Sequence, residues 1–150
     1  MTDKPAPTEH ATPTALPAGW KGGAPDSEAF FILAEEALTT LPEPIKALSH
    51  DLVIVVEDMA DGDLLREMEI ENGYELTGLY EGIPLTERSI DHSAAMPDRV
   101  ILYRLPILME WIESGERLDW LIRHIVIHEV GHHFGFSDED MHALEEQAKA

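Results

Sequence analysis

The sequence predicts an α+β domain, with helices packed against a small, mostly antiparallel sheet. Three observations point that way. The elements run helix, strands, then helices instead of alternating. The stretch "DLVIVVED" (51–58) is short, apolar and β-branched, as a buried strand requires. From Leu118 to about Phe134 apolar side chains recur three and four residues apart, the spacing of a helix with a buried face.

A chain of 150 residues holds one domain with a modest core. Residues 1–25 contain five of the ten prolines, with Thr, Ala and Gly among them. That composition buries too little surface to offset ordering entropy, so a disordered tail is expected there and the folded domain over 26–150. Asp26 or Ser27 can cap a first helix, in which Phe30, Phe31, Leu33, Ala34, Ala37, Leu38 and Leu41 follow at helical spacing until Pro42 stops the run. After the 51–58 strand, "MADGDLLREMEIENG" is acidic and suits a short surface helix at most. "YELTGLYEGIPL" (74–85) alternates enough for a second strand, in which Gly78 and Gly82 leave room for another backbone or a ligand. "RVILYR" (99–104) reads as a third strand. Pro106 fits the first turn of a helix over 106–114, and "SGER" leads into the long helix that Gly135 ends. Ser137 with Asp140 makes a capping box for a last helix reaching about Ala148.

Charge and composition exclude several classes. There is no cysteine, so any transition metal must be held by His, Asp or Glu. A net charge of −20 without a Lys/Arg cluster repels phosphates, so nucleic-acid binding is not expected. That charge reads as a well-solvated surface, or as a dock for a basic partner whose binding would weaken with salt. "MTDKPAPTEHATPTALPAGW" lacks a basic region followed by an apolar run and does not resemble a secretory signal. The greasy segment "LDWLIRHIVIHEVGHHFGF" is broken by Asp119, Arg123 and several histidines, so no membrane span is expected. A cytoplasmic monomer is the default expectation.

The long helix carries the functional signal. Its stripe begins Leu118, Leu121, Ile122, Ile125, and the same steps lead on to His128, Glu129 and His132. A face that starts apolar thus becomes ionisable halfway along. Buried polar groups without partners cost about 1–3 kcal/mol each, so these side chains need partners. A divalent ion would supply one. Histidines four residues apart lie one turn above each other and can reach the same ion, whereas Glu129 is rotated away and suits a base acting on water beside it. The short pattern H-E-x-x-H arises readily by chance in a chain with 8 histidines and 30 acidic residues. Gly135 and Asp138, three and six places after His132, make the pattern far more specific.

"HEVGHHFGFSDEDM", with "GLYEGIPLTERS" and "PDRVILYR" upstream, resembles the small bacterial zincin-like metallopeptidases, or minimal zincins, over roughly residues 27–148. The resemblance implies a minimal zincin-like fold, with the motif helix packed against a small sheet. It also implies one zinc ion bound by His128, His132 and Asp138, with Glu129 as catalytic base. The spacing H-E-x-x-H-x-x-G-x-x-D matches that of metzincins, but Asp138 stands where those enzymes usually place a third histidine, and no methionine turn is evident.

On this reading Gly135 takes a left-handed conformation and turns the chain back, so that Asp138 faces the ion. Glu139, Asp140 and His142 are the alternatives for that third ligand, and Asp138 can also be read simply as an acid at a helix N-terminus. Imidazoles with a carboxylate suit zinc, and also manganese, iron or cobalt. His133 and His124 read as ordinary histidines, with His124, one turn before His128, possible as a supporting group. Gly131 reads as a site of close packing of the helix against the sheet. Tyr80, Tyr103 and Arg104, as polar residues on candidate strands, are the candidates for stabilising an oxyanion, and none of them is assigned that role. The expected activity is zinc-dependent hydrolysis of short or unfolded peptides, aligned along an exposed sheet edge such as "GLYEGI". The alternative is a non-catalytic zinc-binding module in which the metal joins the last two helices.

Overall fold

A computed structural model of the chain describes residues 22–82 and 97–149. Most of the expected N-terminal tail, the end of the predicted 74–85 strand and the following loop lie outside the described residues. The elements run α1 (Ser27–Thr39), α2 (Ile45–Leu48), β1 (Val53–Glu57), α3 (Gly62–Glu67), β2 (Gly78–Glu81), β3 (Arg99–Tyr103), α4 (Arg104–Ser114), α5 (Leu118–His133) and α6 (Asp138–Lys149). A 3-10 turn, Gly73–Glu75, precedes β2. The architecture is the expected α+β class.

Local chemistry explains most boundaries. Asp26 caps α1 by accepting from the Ala29 N–H at 2.9 Å. Asp61 caps α3 in the same way through the Leu64 N–H at 2.9 Å. Pro106 occupies the first turn of α4, where its missing N–H has no intrahelical partner to lose. Gly115 ends that helix with φ +70. The one-turn helix α2 was not anticipated, since Pro42 and Pro44 frame it with turn chemistry.

The sheet has the order β1-β3-β2. β3 pairs in parallel with β1, Ile54 opposite Val100 and Val56 opposite Leu102, and antiparallel with β2, Gly78 opposite Leu102 and Tyr80 opposite Val100. The expectation of a mostly antiparallel sheet is therefore corrected to a mixed one. The reason is the connection: the chain leaves β1, forms α3 and β2, and re-enters at the same end to run as the central strand.

Alternation along β3 divides the interior in two. Val100 and Leu102 face α1 and α5 in the main core, with Phe30, Leu33, Ile54, Ile122, Val126 and Val130. Ile101 and Tyr103 face the other way, into a smaller cluster with Ala60 and Leu76. Both faces of the sheet are thus covered. Tyr103 is fully buried there and its hydroxyl has no hydrogen-bond partner among the described residues. Burial first, then the charges of Glu57, Glu81 and Asp61, push its pKa up to about 12.

Two glycines set how closely α5 is approached. A Cβ on Gly78 would lie 2.7 Å from Ile125 Cγ2 and 3.5 Å from Glu129 Cγ, so α5 crosses β2 at backbone contact distance. A Cβ on Gly131 would collide with the side chain of Met141, which is fully buried. Gly131 therefore admits α6, not the sheet as its sequence context suggested. Replacing it with valine should cost about 1–3 kcal/mol by overpacking, read by urea denaturation. Met141→Ala in the same chain should recover part of that loss; strictly additive effects would contradict the contact.

Candidate metal centre

The motif helix leaves the core as it proceeds. Leu118, Leu121, Ile122 and Ile125 are buried, the His128 side chain is 23% exposed and that of His132 53% exposed. The expectation that all of these histidines are sunk in apolar surroundings is thus met only in part: His128 sits at the core boundary and His132 faces solvent. This gradient suits a site that must admit solvent and hold its first ligand rigidly.

The end of α5 is a paired reversal. The Phe136 N–H donates to the Gly131 carbonyl at 2.8 Å and the Gly135 N–H to the His132 carbonyl at 3.1 Å. Gly135 has φ +85, the left-handed conformation such a motif requires. α6 then starts within a few residues. The Asp140 N–H donates to Ser137 Oγ at 3.1 Å, and the Ser137 N–H reaches Asp140 Oδ2 at 3.4 Å, the reciprocal capping box. Met141 anchors α6 against Gly131.

That reversal returns acids of α6 to histidines of α5. Asp138 Oδ1 is 2.8 Å from His132 Nε2. His128, His132 and Asp138 each offer a ligating atom, all within 4.8 Å of one another. The hydrogen bond from His132 holds the Asp138 carboxyl below the usual carboxylate range. Donors about 2.0–2.2 Å from one tetrahedral ion stand about 3.4 Å apart, so the set fits a divalent ion once the His132–Asp138 pair opens slightly. Two imidazoles and one carboxylate are the donors borderline cations favour. Asp140 is committed to its cap, and Glu139 and His142 belong to neither ligating trio among the described residues.

Glu129 does not join this cluster. It points toward β2, beside Gly78, where the Tyr80 N–H donates to its carboxylate. Burial raises its pKa, opposed by the His132 ring and by that N–H. A partly buried carboxylate with raised proton affinity has the character of a general base.

A second trio stands one helical turn earlier, with little sign of it in the sequence. Glu145 of α6, its side chain only 10% exposed, places Oε1 2.6 Å from His128 Nε2 and Oε2 2.8 Å from His124 Nδ1. His124, His128 and Glu145 also offer ligating atoms within 4.8 Å of one another. The rings of His124 and His128 lie 4.1 Å apart. Burial, then His124, lowers the His128 pKa, opposed by Glu145. Glu145 lies seven residues beyond Asp138 on α6, a periodic link to the same side of that helix, but nothing in its own letters marks it.

The remaining polar candidates are occupied elsewhere. The Tyr80 ring stacks on His133 with centroids 3.8 Å apart, and its hydroxyl donates to Asp98 Oδ2 at 2.7 Å. Tyr103 faces the opposite side of the sheet from α5. Arg104 pairs with Asp58 at 2.8 Å and donates to the Pro25 carbonyl at 3.1 Å. Among the described residues no helix is long and apolar enough to cross a membrane.

Comparison with known proteins places the fold in a family. The sequence profile of the zincin-like metallopeptidases matches residues 49–148, about two thirds of the chain, from the end of α2 to the end of α6. No curated protein matches the chain significantly. With the profile spanning the sheet, the motif helix and both carboxylate-bearing turns of α6, the chain belongs to the zincin-like metallopeptidase family.

Proposed function

We propose that the protein is a zinc-dependent peptidase, with one ion held by His128, His132 and Asp138 and with Glu129 as general base. The observation that supports it best is the division of labour on α5: ligating atoms of His128 and His132 converge with Asp138, while Glu129 turns aside toward the sheet. A divalent ion held by His128, His132 and Asp138 would supply Lewis acidity for a peptide carbonyl and a neighbouring water.

The chain's own residues do the rest. Glu129 takes the proton from the attacking water and later gives it to the departing amine nitrogen. Its partial burial raises its proton affinity toward the range in which both transfers are easy. The Tyr80 N–H holds the carboxylate in place, so the base is oriented by the backbone of β2. β2 is an edge strand among the described residues. An extended peptide adding beside it would lie next to Glu129, which favours short or unfolded substrates. The exposed side of His132 and Asp138 leaves access for them.

A second reading, a structural metal site joining the last two helices, is favoured by one observation: the buried Glu145 of α6 lies 2.6 Å from His128 Nε2 of α5. The two readings part on cleavage. With equal zinc content, Glu129→Gln should cut peptides about 10²–10⁴-fold more slowly than the native chain; equal rates would remove Glu129 from the mechanism, and no cleavage by either would favour the structural reading.

Metal removal gives a separate test. Zinc at about one hundred times its dissociation constant should stabilise the chelated protein by about 2.7 kcal/mol, seen as a rise in melting temperature. Removal by chelator should reverse both that rise and the cleavage. An unchanged melting temperature would contradict a zinc site of useful affinity.

A further inference from the structure

We infer that the protein has a second, non-catalytic seat for a divalent cation, built from His124, His128 and Glu145. The inference rests on the proposed function only in that His128 is common to both sets. His124 Nδ1 and His128 Nε2 lie 2.8 and 2.6 Å from the two oxygens of one carboxylate. All three groups offer ligating atoms within 4.8 Å of one another, drawn from two helices that Met141 and Gly131 lock together.

The surroundings also favour a cation. The Glu145 side chain is nine-tenths buried, and among the described residues its two ion-pair partners are both imidazoles, not Lys or Arg. A buried carboxylate matched only by such groups is the arrangement that gains most from a nearby cation. Beside it opens a cavity of about 290 Å³ whose walls include His124, His142, Glu110, Glu116 and Glu145. That space accommodates the waters that complete a cation's shell, and three of its eight lining residues are acidic.

Filling the seat requires a shift of ring protons and a slight opening of the two contacts to Glu145, which at 2.6 and 2.8 Å are closer than donors sharing one ion. His124 and His128 each move their N–H to the other ring nitrogen, which frees Nδ1 and Nε2 as lone-pair donors. A neutral imidazole has one lone pair, so His128 serves one ion at a time. The two seats are therefore alternatives, a turn of helix apart. An ion in the second seat takes His128 away from His132 and Asp138, and leaves the proposed catalytic set incomplete.

The test is zinc titration of the full chain by calorimetry, with imidazole ¹⁵N shifts recorded alongside. His132 and Asp138 side chains are 53% and 82% exposed, so His132→Ala/Asp138→Ala removes the first set without disturbing the core. This double variant should still bind one zinc, with shifts at His124 and His128. Adding Glu145→Gln, which keeps the side-chain volume, should lower that affinity at least tenfold. Adding His124→Ala, a half-exposed position, should do the same. A double variant that binds no zinc while the native chain binds one overturns the second seat and leaves the peptidase site standing. Zinc binding that survives both added substitutions also overturns it. If Glu145→Gln alone abolishes binding to the native chain while the double variant binds normally, the second seat is upheld and the proposed peptidase site falls.

Discussion

The constraint on which the rest depends is the reversal at Gly135. Without the left-handed turn and its two closing hydrogen bonds, α6 would not fold back along α5. Among the described residues, the carboxylates hydrogen-bonded to the motif histidines come from α6: Asp138 in its first turn and Glu145 two turns later. The motif helix alone offers imidazoles and a base. It is the returning helix that makes them a site.

Packing then fixes how rigid each part is. α5 is held by the sheet at Gly78 and by α6 at Gly131, both at distances that leave no room for a methyl group. Between those contacts lies His128, shared by both carboxylates' neighbourhoods. Beyond them the helix runs into solvent, and His132 with Asp138 forms the more open side. Glu129, the proposed base, is held by a different element, the backbone of β2. The proposed ligands and base are thus positioned independently, by a helix pair and by a strand edge.

Much of this was legible in the sequence, for physical reasons that differ by element. α1, α5 and α6 follow from apolar spacing and from caps that act within three residues: the side chain of Asp26, the backbone of Gly135 and the Ser137–Asp140 pair. The meeting of His128, His132 and Asp138 follows from the same short-range rules, because the last two stand only six positions apart. What escaped depends on long-range register. Glu145 reaches His128 only because α6 crosses α5 at one angle, set by Met141 over Gly131, and no local pattern encodes that angle. Read as a bystander, His124 gains its partner by the same crossing. The parallel pairing of β1 with β3 was hidden for a like reason: strand composition states burial, not direction.

The central claim is that α5 and the start of α6 grip one ion between His128, His132 and Asp138. Anomalous diffraction at the zinc absorption edge, on crystals of the native chain grown with one equivalent of zinc, tests it most directly. The account predicts a strong anomalous peak bonded to all three side chains, with Glu129 near it but not bonded to it. A peak elsewhere, or imidazoles of His128 and His132 turned apart with no peak between them, would contradict it.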